Sequence, residues 1–166
     1  GVVLNLTPDH LDRYPTLAAY YAAKENLFRY QAADDVAVLN ADDATLMTWA
    51  PRLAGRLMTF GTHAVRDGAA LEAGALVVRR AGAGVPVLNA AELGIPGPHN
   101  VANALAALAA LEGLSLDAAQ PAVADALRRF PGLEHRIEYS GTLNGVRFYN
   151  DSKATNTDSM AVALKA

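Results

Sequence analysis

The sequence contains no cysteine among its 166 residues. This absence excludes a disulfide framework, a zinc site built on thiolates and a cysteine nucleophile. Charged residues make up only 19% of the chain, and 17 Asp and Glu outnumber 14 Lys and Arg. A net charge of −3 leaves no broad basic field for a phosphate backbone, so we expect no nucleic-acid partner.

Long hydrophobic runs are also absent. The longest strictly apolar run, residues 104–111, is far shorter than the roughly 18 residues needed to cross a bilayer, so we expect no membrane partner. The P-loop pattern Gly-x-x-x-x-Gly-Lys-Ser/Thr occurs nowhere, so these residues alone offer no standard triphosphate cradle. The chain opens on Gly1-Val2-Val3 without an initiator methionine or signal peptide, which predicts an internal fragment of a longer protein. The absence of cysteine is compatible with a cytoplasmic protein, which is the location we expect.

Strands that alternate with helices predict an α/β fold with a parallel sheet. The predicted strands cover residues 2–4, 35–40 and 56–60. The predicted helices cover residues 16–30, 42–53, 99–112 and 116–129. Thr16 is the expected N-cap of the first helix, and Asp42 or Asp43 that of the second. The glycine-rich segment 61–98 predicts an irregular or antiparallel flank.

Pro131-Gly132 marks the predicted domain boundary, which gives domains at residues 1–131 and 132–166. Beyond it, Asn144-Gly145 between two apolar runs predicts a β-hairpin, and a helix is predicted to begin near Thr155. The residues after the boundary are too few to build a core of their own. We therefore expect only the beginning of a second domain.

Lys24 falls in the middle of an apolar stripe with helical spacing, formed by Leu17, Tyr20, Tyr21, Leu27 and Phe28. If this face is buried, the amine must find a counter-charge, lose its proton or be modified. Alternatively, the stem of Lys24 packs on the apolar surface while its ammonium reaches water. The spacing leaves both interpretations open.

Two further groups of polar residues are candidate ligands. Asp9 and His10 follow a predicted strand, where they could bind a divalent metal or simply cap and shape the loop. Asn100 and Asn103, one helical turn apart, offer two carboxamides to a base such as adenine. The alternative for Asn100 is an ordinary N-cap.

The chain after the predicted boundary carries the remaining candidates. Asp151 and Lys153 follow a predicted strand, where a carboxylate suits a ribose hydroxyl and an ammonium suits a phosphate. The alternative is a capped helix with Lys153 in solvent. His135-Arg136 could reach a ligand between the domains or form a surface pair.

Five segments, taken in order, resemble the Mur ligase family. They are residues 5–14, 21–24, 39–43, 97–104 and 150–156. The resemblance implies a P-loop-type central ATPase domain without its N-terminal P-loop portion, followed by the first strands and helix of a Rossmann-like C-terminal domain. The last segment, Asn150-Asp151-Ser152-Lys153-Ala154-Thr155-Asn156, is most similar to that of members that add D-glutamate.

The resemblance implies an ATP-dependent ligase of peptidoglycan precursor synthesis. Its substrates would be UDP-N-acetylmuramoyl-L-alanine, D-glutamate and ATP, its cofactor Mg²⁺, and its full-length form a monomer. ATP would convert the substrate carboxylate to an acyl phosphate, which the amine of D-glutamate attacks. Because the P-loop is missing, we expect residues 1–166 alone to be inactive.

The resemblance also implies roles for individual residues. His10 and a carbamylated Lys24 would hold Mg²⁺, and these two with Lys153 would be the catalytic residues. The implied ATP-binding residues are Asn100, Asn103, Arg136, Asp151 and Lys153. The implied substrate-binding residues are Asp9, His10 and Thr155.

Two other functions remain open from the sequence. The parent protein could add a different amino acid, as another Mur ligase or a relative of folylpolyglutamate synthetase. It could also be a non-catalytic nucleotide-binding module that kept adenine contacts and lost phosphate chemistry. Residues 150–156 favour the D-glutamate-adding ligase over its relatives.

Overall fold

The computed structural model describes residues 1–8, 12–155, 160, 161, 163 and 164. The strands are β1 (Val2–Val3), β2 (Val36–Asn40), β3 (Arg56–Gly61), β4 (Gly68–Glu72), β5 (Ala75–Arg80), β6 (Ala83–Asn89), β7 (Glu138–Leu143) and β8 (Val146–Asn150). The α-helices are α1 (Leu17–Glu25), α2 (Ala44–Met47), α3 (Pro98–Gly113) and α4 (Pro121–Arg129). Short 3-10 turns cover Asn26–Phe28, Ala50–Arg52 and Ala90–Glu92.

The main sheet has six strands in the order β1-β2-β3-β4-β5-β6. Strands β1 to β4 pair in parallel, whereas β4, β5 and β6 form an antiparallel meander. The α/β fold with a parallel sheet and the antiparallel flank are therefore both confirmed. Strand β4 was missed, because Gly68-Ala69-Ala70 lacks the β-branched and aromatic residues that signal a strand.

Two-residue turns connect the antiparallel strands. In each turn both residues have positive φ, as the turn type that matches strand twist requires. The pairs are Ala73-Gly74, Ala81-Gly82 and Asn144-Gly145. The predicted hairpin at Asn144-Gly145 is thus confirmed, and β7 and β8 form a separate two-stranded sheet.

Helices cover both faces of the parallel strands. Val36 and Val38 of β2 belong to the core beneath α3, and Ala37 and Leu39 point to the opposite core with Trp49. Because successive strand side chains alternate between faces, one strand joins two hydrophobic layers. No helix among the described residues is long and apolar enough to span a membrane.

Three predicted helices are shorter in the structure. Thr16 caps α1 as expected, accepting a hydrogen bond from Ala19 N at 3.1 Å, but the α-helix ends at Glu25 instead of Tyr30. Asp43 caps α2, which ends at Met47 instead of residue 53. Pro51, which has no backbone N–H to donate, follows in a 3-10 turn.

The start of the last predicted helix also differs from its expected position. Helix α4 begins at Pro121 rather than residue 116, because Pro121 supplies a favourable first helical residue. The preceding backbone is held elsewhere, since Ala118 N donates to the Glu112 carboxylate at 2.8 Å. The helix predicted near Thr155 falls mostly outside the described residues.

Candidate functional site

A cleft of about 310 Å³ lies between the start of α3 and the segment that leads from α4 into β7. We call it the α3 cleft. Its volume is at the lower end of the roughly 300–1,000 Å³ of small-molecule sites, and its lining combines apolar surface with a few polar groups. The lining residues are Ile95, His99, Asn100, Asn103, Phe130, Gly132, Leu133, Arg136, Ile137 and Asp151.

The first turn of α3 supplies one wall of the cleft. Gly97, at φ +104°, is the N-cap, so the alternative that Asn100 caps this helix is wrong. Asn100 instead donates from Nδ2 to the Pro96 carbonyl at 2.6 Å and accepts at Oδ1 from Asn103 Nδ2 at 3.4 Å. The two carboxamides are therefore adjacent on one face, as their spacing predicted.

The opposite wall comes from five residues of the segment between α4 and β7 and from Asp151. The five are Phe130, Gly132, Leu133, Arg136 and Ile137. Asp151 Oδ1 accepts a hydrogen bond from Ile137 N at 3.2 Å, which ties the end of β8 to the segment before β7. Ile137 has φ +49° and His135 has φ +66°, a left-handed conformation that costs energy for a residue with a Cβ. This backbone path places Arg136 at the cleft.

His135 does not line the cleft with its neighbour. Its Nδ1 lies 2.8 Å from Asn150 Nδ2, and its backbone N donates to Glu138 Oε2 at 2.8 Å. The pair His135-Arg136 is therefore split, with one side chain bracing the hairpin and the other facing the cleft. Both residues are nevertheless exposed, so the surface-pair alternative stays open.

His99 is a cleft residue that was not predicted from the sequence. Burial lowers the pKa of His99 below its ordinary value, and the nearby Asp151 carboxylate offsets only part of that shift. The usable signal was its position four residues before Asn103, which places both on one helix face. The signal was weak because a histidine beside a helix N-terminus is common on surfaces.

Four of the five predicted ATP-binding residues thus meet in one cleft: Asn100, Asn103, Arg136 and Asp151. Lys153, the fifth, is exposed and is not among the lining residues. Its backbone N donates to the His135 carbonyl at 3.2 Å. This hydrogen bond fixes the backbone of Lys153 but not the position of its side-chain amine. Thr155 is also exposed.

Of the two interpretations left open for Lys24, the structure does not show the one in which its amine is buried. Lys24 is exposed, and its Nζ lies 4.8 Å from the centre of the Tyr20 ring. The stripe fails because α1 ends at Glu25, so Leu27 does not continue the same face, and Leu17 is also exposed. The structure matches the alternative in which the stem covers apolar surface, here with a cation–π contact.

Within the part of the chain that the structure describes, no three His, Cys, Asp or Glu side chains cluster as a metal site would require. Asp9 and His10 lie outside the described residues. Lys24 Nζ lies over the Tyr20 ring, and the metal-ligand role of Lys24 stays a prediction.

A polar cluster also joins the ends of β2 and β3. Asp42 accepts a hydrogen bond from Thr62 N at 2.7 Å, and its Oδ1 lies 3.0 Å from His63 Nδ1. Burial raises the pKa of the Asp42 carboxyl, but the hydrogen bonds from His63 and Thr62 outweigh burial and hold that pKa below its ordinary value. The cluster therefore favours the ionised carboxylate.

We expect Asp42 to stabilise the fold at neutral pH and less in acid. Its pKa is lower in the folded than in the unfolded chain, so its contribution is fully present above the unfolded value of about 4 and disappears as pH falls through the folded value. Urea unfolding should show Asp42→Asn destabilised by about 1 kcal/mol at neutral pH, with a smaller difference near pH 3. An equal difference at both pH values would refute this linkage.

Residues 1–111 match the family model of the Mur ligase middle domain. A UDP-N-acetylmuramoylalanine–D-glutamate ligase of Acidobacterium capsulatum is 44% identical over 171 residues and matches 100% of this chain. The ligase of the same name from Desulfitobacterium hafniense is 42% identical over 167 residues, again across 100% of the chain. The chain spans 36% of the length of each of these relatives.

Solved structures share the fold. MurF from Acinetobacter baumannii superposes with a TM-score of 0.74 at 20% identity, over 97% of this chain and 35% of that one. MurF ligase from Thermotoga maritima, determined in complex with ADP, gives a TM-score of 0.70 at 18% identity, over 98% of this chain and 37% of that one. With the matched family model and the relatives above 40% identity, these findings show that the chain belongs to the Mur ligase family.

Proposed function

We propose that the protein containing this chain is an ATP-dependent ligase that joins D-glutamate to UDP-N-acetylmuramoyl-L-alanine. The observation that carries the proposal is the α3 cleft, where Asn100, Asn103, Arg136 and Asp151 converge. The names of relatives at 44% and 42% identity support this choice of substrates. We place the reaction in the cytoplasm and expect the full-length protein to be a monomer.

The chemistry of the cleft suits an adenine nucleotide. Asn100 and Asn103 present carboxamides, which offer donors and acceptors to a base edge. The apolar side chains Ile95, Phe130 and Leu133 provide surface for a planar ring. Arg136 supplies a cation for the phosphate groups, and Asp151 a carboxylate for ribose hydroxyls.

The proposed reaction has two steps. First, a carboxylate oxygen of UDP-N-acetylmuramoyl-L-alanine attacks the γ-phosphorus of ATP, releasing ADP and leaving an acyl phosphate. Second, the amine of D-glutamate attacks the acyl carbon, the tetrahedral intermediate expels phosphate, and the nitrogen loses a proton to give the amide. Lys153 would lie by the phosphate and acyl phosphate, and Asp9, His10 and Thr155 would bind substrate.

The metal-binding part of the resemblance stays a prediction. It assigns Mg²⁺ to His10 and to a carbamate on Lys24, which would convert a cation into an anion. The exposed ammonium of Lys24 would have to leave the Tyr20 ring to form this carbamate. Incubating the full-length protein with isotope-labelled bicarbonate, with Lys24→Arg as the control, should reveal a carbamate signal that the variant lacks.

Phosphate release by the full-length protein tests the function. With UDP-N-acetylmuramoyl-L-alanine and ATP, release should require D-glutamate and should not occur with L-glutamate, L-alanine or a diamino acid. Lys24→Ala should abolish it, while Asp34→Asn, an exposed carboxyl outside the α3 cleft, should leave it unchanged. Release with another amino acid would indicate a different ligase of this type, and ADP binding without release under any condition a non-catalytic nucleotide-binding module.

A further inference from the structure

Two side chains at the end of β2 hold the backbone that follows β1. The parallel pairing of β1 with β2 ends at Val3 and Leu39. One residue further on, Asn40 donates from Nδ2 to the Leu4 carbonyl at 2.9 Å. The Asn40 side chain therefore supplies the next hydrogen bond at the point where the two parallel strands separate.

Asp43 makes the second contact with this backbone. Its Oδ2 accepts from Leu6 N at 2.8 Å, while its Oδ1 accepts from Thr45 N at 2.9 Å and from Leu46 N at 3.0 Å. One carboxylate thus caps α2 with one oxygen and holds the chain after β1 with the other. Leu6 is buried in the same hydrophobic cluster as Leu46, so packing supports this hydrogen bond.

The two contacts fix the backbone on both sides of Asn5, through the carbonyl of Leu4 and the N–H of Leu6. We call these two hydrogen bonds the β1 tether. The Asn40 amide is itself held at its other end, because its Oδ1 accepts from Asp42 N at 2.9 Å. A carboxylate that only capped α2 would need one oxygen for that purpose, so capping alone does not account for the tether.

The β1 tether lies at the carboxyl end of the parallel strands, which is where sheets of this type bind their ligands. Three residues after Leu6 the chain reaches Asp9, followed by His10, both assigned to substrate binding in the proposed function. We infer that Asn40 and Asp43 are positioning residues for this reaction, which fix the start of the substrate-binding segment. The inference rests on the proposed function, because the roles of Asp9 and His10 belong to it.

A fixed start matters because reaction rates are sensitive to small displacements. Only Thr7 and Pro8 separate Leu6 from Asp9, and the proline ring holds one of the intervening backbone dihedrals nearly constant. A shift of the backbone at Leu6 would therefore move Asp9 as well. A displacement of about 1 Å at a reacting centre can cost about 100-fold in rate.

Two substitutions cut the β1 tether and keep the local turn. Asp43→Ser keeps an N-cap of comparable strength, but its single short hydroxyl cannot also reach Leu6 N. Asn40→Asp keeps the oxygen that accepts from Asp42 N and loses the donor to the Leu4 carbonyl. We call Asp43→Ser and Asn40→Asp the tether variants.

Asp35→Ala is the matched control. Asp35 accepts from Ala32 N at 2.8 Å in the turn before β2, at the opposite end of that strand. This variant also removes an aspartate contact with a backbone N–H, so it measures the effect of such a loss alone. Amide hydrogen exchange verifies the cut, because Leu6 N–H should exchange faster in Asp43→Ser than in Asp35→Ala.

Steady-state kinetics and ADP calorimetry on the full-length protein give the decisive comparison. In both tether variants kcat/KM for D-glutamate should fall about 10- to 100-fold. The KM for ATP and the number of ADP sites per protein should match those of Asp35→Ala, because the α3 cleft is untouched.

Two results would overturn the inference and leave the proposed function standing. The first is an unchanged kcat/KM for D-glutamate in the tether variants. The second is a loss of activity in proportion to the number of ADP sites, with both KM values unchanged, because Asn40 and Asp43 would then only stabilise the fold. An unmodified protein without D-glutamate-dependent phosphate release would overturn the proposed function as well.

Discussion

Replacing Gly68 with alanine should prevent the chain from forming a stable fold. Gly68 begins β4 at φ +133°, and a Cβ built there would lie 1.8 Å from the Thr59 carbonyl oxygen of β3. That oxygen is part of a parallel strand and cannot rotate away as a side chain could. We expect a loss of about 4 kcal/mol or more, which would consume most of the stability of an ordinary domain.

The effect would spread because Gly68 leads into a buried strand at the centre of the sheet. Ala69 and Ala70 are fully buried, and β4 joins the three parallel strands to the antiparallel meander. Moving β4 to relieve the clash would break this junction. Circular dichroism and urea unfolding should therefore show loss of cooperative structure in Gly68→Ala.

Gly74→Ala is the matched control. Gly74 also has positive φ, at +81°, but it lies in the turn between β4 and β5 and a Cβ there would meet nothing within 4 Å. This variant should cost only the left-handed backbone penalty of about 1–2 kcal/mol. Equal stability losses in the two variants would mean that conformation, and not the contact with Thr59, makes Gly68 necessary.

The parallel strands could be predicted from sequence because their signals are local. Val36 to Asn40 reads as a buried strand, and its alternating residues serve two cores as a sheet with helices on both faces requires. Gly68-Ala69-Ala70 could not be predicted in the same way. This segment is a strand because it pairs with residues 59–61 of β3, and glycine is required there by the distant Thr59 carbonyl.

In the candidate site, too, some features follow from local sequence signals and others depend on residues far away in the chain. The spacing of Asn100 and Asn103 was enough to place them side by side, because both lie on one helix. That Arg136 and Asp151 face them depends on the left-handed backbone at His135 and Ile137, which no local pattern indicates. His99 was missed for a related reason, since its place in the cleft depends on the opposite wall as well as on its own helix.

Lys24 is a case in which a helical pattern was extended too far. The apolar stripe around it included Leu27, which lies beyond the last residue of α1 and is 54% exposed. Tyr20, at 5% exposure, is the residue that α1 buries. Periodicity identified the helix but not where it ends, and the end decided which side chains are covered.

Removing the Asp151 carboxylate should sharply weaken nucleotide binding. Asp151 lines the α3 cleft and holds the Ile137 N–H, which belongs to a residue at φ +49°. Asp151→Ala deletes both the proposed ribose contact and this brace, so we expect ADP affinity to fall about 10- to 100-fold, the range for hydrogen bonds to a charged group. Urea unfolding should also show a stability loss, because the Ile137 N–H loses its partner.

Asp151→Asn separates the two roles of Asp151. The amide oxygen still accepts from Ile137 N, so stability should remain near that of the unmodified protein, while ADP affinity falls less than in the alanine variant. Calorimetry with 2′-deoxy-ADP adds the decisive comparison. If Asp151 binds the ribose hydroxyl, Asp151→Asn should cost less affinity for 2′-deoxy-ADP than for ADP. An equal loss of affinity for both ligands would show that Asp151 acts only by bracing the cleft wall.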